Sequence, residues 1–311
     1  MFRRLLLLVS LLALFALPCL AEGEFPELNE QGFLDEGEFV YADAEKGIWR
    51  YVSQNLKVEI YRCVDEEPVL ATWYEAEVWC QNDEVWRLFT NNEGKHMSGN
   101  AWPYIVAQKN QVVLAINTDF AQYRYPKKNS SVGIIIRDGK VFSKRTYKST
   151  NKSYPNLDVL ALYPDGNMEV YESNEKTAEE YLDMGVTSTL AFGPILIRDG
   201  VVNEEDLAKL SKNRAPRTAI GMVEKGHYFA MMLEGRHKGS KGGTVDFLCQ
   251  KMLDRGCTLA FNLDGGETAC ILFMGEQINV VGGANNKAGN ARRTTELLGI
   301  GVSELVPPYE K

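Results

Sequence analysis

Residues 256–266 read Gly-Cys-Thr-Leu-Ala-Phe-Asn-Leu-Asp-Gly-Gly, and the way this stretch ends decides how the chain is put together. Residues 257–263 carry no charge and have the length of one core strand. The run ends on a carboxylate, Asp264, and then on two glycines. A carboxylate at the far end of a buried strand must be hydrogen-bonded or must face a cleft. Immediately upstream, Thr244 is placed to cap a helix, with Asp246 at the positive end of its dipole. Val245, Leu248, Cys249, Met252 and Leu253 recur at helical spacing, so one face is buried, and Gly256 supplies the left-handed stop.

Three other Asp-Gly pairs lie between strand-like runs: Asp138-Gly139, Asp165-Gly166 and Asp199-Gly200. Each follows Arg or Pro, as a solvent-facing turn does, and each reads as a hairpin. Asp264 follows Leu263 instead, which leaves two readings of residues 262–266: a ligand-binding loop, or a fourth structural turn. Further outward, VVLAIN at 112–117 reads as a buried strand, and 218–233 as a hairpin turning at 224–226. Helices are expected over 98–110 and over 175–184, the second stopped by Gly185, and a strand over 268–273. Strands outnumber helices. The expected class is α+β (mixed α/β), with a large, mostly antiparallel or mixed sheet and flanking helices.

The start of the chain bears on its destination. Arg3 and Arg4 precede an apolar run at 5–17, and Cys19-Leu20-Ala21 offers a small-x-small cleavage site, the layout of a secretory signal peptide. That run is well short of the roughly 20 residues that span a bilayer. The expected organisation is a signal peptide at 1–21, an acidic lead-in at 22–47, an N-terminal part at 48–111 and a core at 112–311. Nine acids and one lysine fall within 22–47, so most of the net charge of −8 is local and the body is nearly neutral. A nearly neutral body offers no basic surface for nucleic acid. After cleavage the chain is expected to be secreted, extracellular or in the cell envelope, without a membrane span. Its oligomeric state is not set by any of these features.

Five cysteines remain after residue 21, and in an oxidising compartment Cys63–Cys80 is the easiest disulfide to picture. Neither they nor His96, His227 and His237 have metal-ligand spacing, so no metal and no cofactor is expected. A serine-hydrolase elbow and a zinc-hydrolase helix motif are both absent.

Polar residues gather at strand ends. Glu234-Gly235-Arg236 closes the run YFAMML and leads through a glycine-rich segment, 237–243, into the Thr244 helix. That order suits an anion such as phosphate, and it also suits a surface ion pair. Asn117-Thr118-Asp119 follows VVLAI, and Arg214 to Thr218 precedes another strand. A sheet enzyme collects its site from such ends.

Five ordered segments resemble the phosphodiester glycosidases: AINTDF at 115–120, PRTAIG at 216–221, LEGR at 233–236, SKGGT at 240–244 and GCTLAFNLDGG at 256–266. The resemblance implies hydrolysis of a sugar-1-phosphodiester, of the N-acetylglucosamine-1-phosphodiester kind, with a glycan phosphodiester as the partner molecule. It implies catalytic carboxylates at Asp264, Asp119 and Glu234. For sugar and phosphate it implies Arg217, Arg236, Asn117, Asn262, Gly265, Gly266, Ser240 and Thr268. Three positions depart from the family pattern: Glu234 stands for aspartate, Glu267-Thr268 for glycine-serine, and Thr118 for glycine. These departures favour a second expectation, a non-catalytic glycan-phosphate-binding protein of the same fold.

Overall fold

Two antiparallel sheets stacked face to face form the centre, and helices cover their outer faces. The structure is a computed structural model that describes residues 25–119, 133–146, 156–210, 213–283 and 289–310. The expected signal peptide, its cleavage site and Phe120 lie outside the described residues. Among those described, nine strands make the larger sheet, in the order β1 (Phe39–Asp43), β2 (Ile48–Val52), β3 (Leu56–Asp65), β4 (Ala71–Cys80), β15 (His227–Leu233), β14 (Arg217–Glu224), β16 (Leu259–Leu263), β12 (Ile195–Arg198) and β13 (Val201–Val202). The second sheet runs β18 (Glu276–Gln277), β17 (Ile271–Phe273), β6 (Val112–Ile116), β19 (Glu296–Val302) and β5 (Arg87–Thr90). Smaller sheets are β10 (Met168–Tyr171), β9 (Asp158–Leu162) and β11 (Ser188–Phe192), and the hairpin β7 (Gly133–Arg137) with β8 (Lys140–Arg145).

The layers follow from strand alternation. On β15, Tyr228, Ala230 and Met232 face Leu114 and Ile116 of β6 and Leu298 and Ile300 of β19 in the inter-sheet core. Phe229, Met231 and Leu233 point the other way, onto α4 (Val245–Asp254), which buries Val245, Leu248, Cys249 and Met252 there. The outer face of the second sheet, Ala115, Leu272 and Leu297, is covered by Val106 and Ala107 of α1 (Pro103–Lys109). Each large side chain so buried contributes roughly 1.5–3 kcal/mol. Because both faces of these strands are covered, they read as unbroken apolar runs. Two short helices complete the set, α2 (Ala178–Asp183) and α3 (Glu204–Leu210).

Most local expectations hold. Asp138, Asp165 and Asp199 lie in turns joining antiparallel neighbours. Thr244 caps α4 through the Phe247 amide, and Gly256 takes φ +76° at its end. Other expectations need correction. The helix expected from residue 98 starts at Pro103, a residue suited to the first turn of a helix. The helix expected from 175 starts after Thr177, whose capping box with Glu180 fixes the start. The strand expected from Thr268 starts at Ile271, because Gly266–Thr268 forms a 3-10 turn. Residues 39–43 of the acidic lead-in form β1, paired over five positions with β2. β4, from before residue 112, pairs directly with β15, from after it, so both parts of the chain contribute to one sheet.

The Cys63–Cys80 disulfide is also overturned. Cys63 pairs with Trp73 and Cys80 with Leu56 on the β3–β4 ladder, seven rungs apart. At about 3.4 Å per residue that separation is roughly 24 Å, far beyond disulfide reach. All five cysteines of the described residues are free.

Candidate active site

β16 belongs to the large sheet and β17 to the small one, so the acidic turn between them is a crossing from sheet to sheet. This separates Asp264-Gly265 from the three hairpin pairs. The crossing is held by Asn117 at the end of β6. Asn117 Nδ2 donates to the Asp264 carbonyl at 2.7 Å and to the Thr118 carbonyl at 3.1 Å. Its Oδ1 accepts from Thr218 Oγ1 at 2.7 Å and from the Cys270 amide at 3.0 Å. Every polar position of that buried side chain is spent on protein. Asn117 therefore braces the seam where sequence analysis expected a substrate ligand.

Asp264 is 7% exposed, and its Oδ1 accepts from the Gly265 amide at 2.9 Å. The two glycines permit a close stack of loops. A Cβ on Gly265 would lie 2.5 Å from the Pro216 carbonyl oxygen. Gly266, at φ +65°, has the Arg236 guanidinium 3.1 Å from where its Cβ would be. The turn thus lies against both arginine-bearing segments, 216–217 and 235–236. Thr268 ends the turn, 5% exposed.

Arg236 is exposed and takes φ +63°, a left-handed conformation that costs a non-glycine residue about 1–2 kcal/mol. Arg217 is half-buried and donates to the Gly243 carbonyl at 3.3 Å and the Asn213 carbonyl at 2.8 Å. Burial, and then the like charge of Arg236, lower its pKa below the usual guanidinium value. Among the described residues neither arginine has a carboxylate within 4.0 Å. Two neighbouring guanidiniums without acidic partners among the described residues have the chemistry to accept an anion.

Glu234 follows the last residue of β15 and is 3% exposed. Its Oε1 accepts from the Val280 amide at 2.6 Å, and its Oε2 lies 3.1 Å from His237 Nε2. Tyr74 of β4 lies beside it, its hydroxyl donating to the Ile278 carbonyl at 2.9 Å. Burial raises its pKa, against the lowering effect of these partners. Ser240 sits below, fully buried. Its Oγ donates to the Glu234 carbonyl at 2.9 Å and accepts from the Thr72 amide at 3.1 Å and the Gly242 amide at 3.3 Å. Ser240 is thus a brace for the 234–242 loop, a correction to its expected phosphate contact.

Asp119 and Asn262 turn to other neighbours. Asp119 Oδ2 accepts from the Ala191 amide at 2.9 Å and lies 3.5 Å from Arg137 Nη2. Arg137 is fully buried and donates from Nε to Glu296 Oε1 at 2.7 Å. Asn262 Nδ2 donates to the Gly193 carbonyl at 2.8 Å, and its buried Oδ1 has no hydrogen-bond partner among the described residues. Glu267, which departs from the glycine of the family pattern, is paired with Arg292 at 3.4 Å. Its charge is balanced locally. Sequence reasoning missed His237, Tyr74, Arg137 and Glu296. Only His237 carried a signal, as a titratable residue three positions after Glu234.

Comparison with known proteins agrees with this architecture. The sequence model of the family described as phosphodiester glycosidase matches residues 110–301. An uncharacterised SPbeta prophage-derived protein of Bacillus subtilis (strain 168), YomE, is 27% identical over 176 residues, which is 56% of this chain and 26% of that protein. The chain thus spans about a quarter of the length of that curated relative. Among solved structures, the zebrafish N-acetylglucosamine-1-phosphodiester alpha-N-acetylglucosaminidase catalytic domain, described as auto-inhibited by its pro-peptide, superposes with a TM-score of 0.62. It is 16% identical, with 81% of this chain and 85% of that one covered. A putative exported protein of Burkholderia pseudomallei K96243 gives a TM-score of 0.52 at 11% identity over 75% of each chain. At these identities the solved structures speak for the fold alone. The match over 110–301 takes in more than half of the sequence and all five ordered segments, and by it the chain is a member of the phosphodiester glycosidase family.

Proposed function

We propose that this protein hydrolyses sugar-1-phosphodiesters, releasing a free sugar and a phosphomonoester. The observation that carries this reading is the company of Arg217 and Arg236, without acidic partners among the described residues, and two buried carboxyls, Asp264 and Glu234, around a glycine-lined turn. The arginines suit the phosphodiester anion, before and after the bond breaks. The Asp264 carboxylate suits the positive charge that develops at the sugar's C1. Glu234, its pKa raised by burial, suits delivery of a proton to the departing phosphate oxygen. Asp119 has a supporting role in this scheme, because Arg137 and the Ala191 amide already hold its carboxylate. An N-acetylglucosamine-1-phosphodiester is the first substrate to try, and export to the cell surface or medium is consistent with the leader-like residues 1–21.

The test is sugar release from a panel of synthetic sugar-1-phosphodiesters, with product identification. Asp264→Asn keeps the oxygen that accepts from Gly265, so its melting temperature should stay within about 2 °C of the parent. Its turnover should fall by about 100-fold or more, as for loss of a transition-state charge. No release by the parent over hours sinks the hydrolase reading. Saturable binding of the same diesters without release would select the glycan-phosphate-binding alternative.

A further inference from the structure

β10 is an edge strand of its three-stranded sheet, and a cavity of about 320 Å³ runs along its open side. Five consecutive residues, Asn167 to Tyr171, line that cavity. Side chains alternate between the two faces of a strand, so only a cavity along the edge meets all of them. Met222 of β14, Thr258 and Leu259 at the start of β16, and the Arg198-Asp199 corner after β12 complete the lining.

The ladder shows which backbone groups face this space. The Tyr163 amide donates to the Asn167 carbonyl at 3.0 Å, next to the β9–β10 pairs Leu162–Met168 and Ala161–Glu169. Bonded and non-bonded pairs alternate along an antiparallel ladder. Glu169 and Tyr171 therefore bond β9, while Met168 and Val170 turn their N–H and C=O groups to the open edge. Met168 and Val170 are 2% and 3% exposed, and among the described residues nothing takes these outward groups. Buried backbone groups are almost always paired, so these call for a partner held in the cavity.

Side chains beside the edge are open as well. The Asn167 amide group makes no hydrogen bond among the described residues. Glu169 Oε2 accepts from the hydroxyls of Tyr163 and Tyr171, which leaves Oε1 open. Arg198 gives Nη1 and Nη2 to Glu175 at 2.8 and 2.7 Å, so its charge is already balanced.

We propose that this cavity is a binding site for one ring of a neutral saccharide, held by the open edge of β10. A sugar hydroxyl both donates and accepts, which matches an edge offering N–H and C=O groups beside Asn167 and Glu169. Leu259 and Met222 give the C–H face of the ring an apolar contact. Glu169 and Asp199 repel an anion, with Arg198 spent on Glu175, so a phosphate group does not belong here. The cavity is at the small end of ligand clefts, roughly 300–1,000 Å³, which suits a single ring rather than a peptide strand. Asp264 follows the far end of β16, five residues or roughly 17 Å from Leu259, so the cavity is separate from the arginine pair. Sugar binding here does not depend on hydrolysis there.

Methionine methyls make the test direct, because Met168 and Met222 both line the cavity. Full-length protein labelled with carbon-13 at its methionine methyls is titrated with glucose, galactose and N-acetylglucosamine, and separately with spermidine. Met168→Leu and Met222→Leu assign the two signals. At least one sugar should shift both signals saturably in the millimolar range, while Met184, at the end of α2, stays fixed. Asn167→Ala and Glu169→Gln should each weaken that binding about tenfold at an unchanged melting temperature, as for one lost hydrogen bond to the ligand. Asp264→Asn should bind the sugar there as the parent does. No saturable shift with any of the three sugars overturns the proposal. So does binding at parent strength in both cavity variants, or a response to spermidine alone, which would make the cavity a cation site. If a variant unfolds, the titration of the parent still decides.

Discussion

The proposed anion site depends on two arginines whose like charges repel each other. Arg217 and Arg236 stand together without a carboxylate within 4.0 Å among the described residues, and the left-handed backbone at Arg236 adds to the cost. A protein that keeps such a pair is most relaxed when an anion is bound. Arg236→Gln should therefore melt no lower than the parent in phosphate-free buffer. The parent should gain stability from inorganic phosphate, about 2.7 kcal/mol at a hundred times Kd, and the variant should gain little of it. Thermal shifts at matched ionic strength read this directly, and an equal gain in both proteins would refute the site. That the Asp264 turn is not a hairpin was legible because its flank differed from three look-alike turns. Asn117 and Ser240 were misread because their partners are remote. Thr218 lies 101 residues from Asn117, and Thr72 lies 168 residues from Ser240. Residue type announces a capacity for hydrogen bonds, and only the tertiary pairing says where they go.

Among the elements, the β7–β8 hairpin and β19 are joined by charge. Arg137, at the end of β7, bonds Glu296 of β19, and His96 bridges Glu296 Oε2 at 3.1 Å and Asp138 Oδ2 at 2.8 Å. Glu296 is 0% exposed and Asp138 sits in the hairpin turn, so the histidine links a buried carboxylate to an open one. Burial disfavours the His96 charge, but the bonds to Glu296 and Asp138 outweigh it and raise the pKa. A raised histidine pKa adds stability that is full below the unfolded value, about 6.5, and is lost as pH climbs through the folded value. His96→Gln should thus cost more stability at pH 6 than at pH 9 in urea unfolding. An equal cost at both would show that the pair is not charged. The hairpin itself was readable from Asp138-Gly139 between apolar runs. The ion chain was not, because the partner of Arg137, Glu296, lies 159 residues away. Likewise Thr177 and Glu180 carry a capping box that fixes the start of α2, a local signal inside the range 175–184 expected for that helix.

At the scale of the whole molecule the site lies where one sheet hands the chain to the other, and the sheet that carries β14, β15 and β16 extends through β4, β3 and β2 to β1. Local periodicity foretold the strands, but not their order. β4 lies beside β15, about 150 residues on, and only that pairing brings Tyr74 to Glu234. The same order changes the meaning of the acidic segment. Charge density alone suggested a solvated lead-in, yet β1 lies against β2, the Glu38 carboxylate takes bonds from Tyr51 and from Ser303 Oγ, and Phe33 is buried. Ser303 follows β19 directly, so this segment touches both sheets. A chain beginning at Ile48 should then lose cooperative stability relative to one beginning at Glu22. The urea midpoint should drop clearly, since five paired positions and a buried phenylalanine, worth about 1.5–3 kcal/mol alone, are removed. The shortened protein should also self-associate, because β2 becomes an uncovered edge with unpaired backbone groups. Coincident urea curves for the two chains, both monomeric in sedimentation, would show instead that residues 22–47 lie outside the cooperative unit.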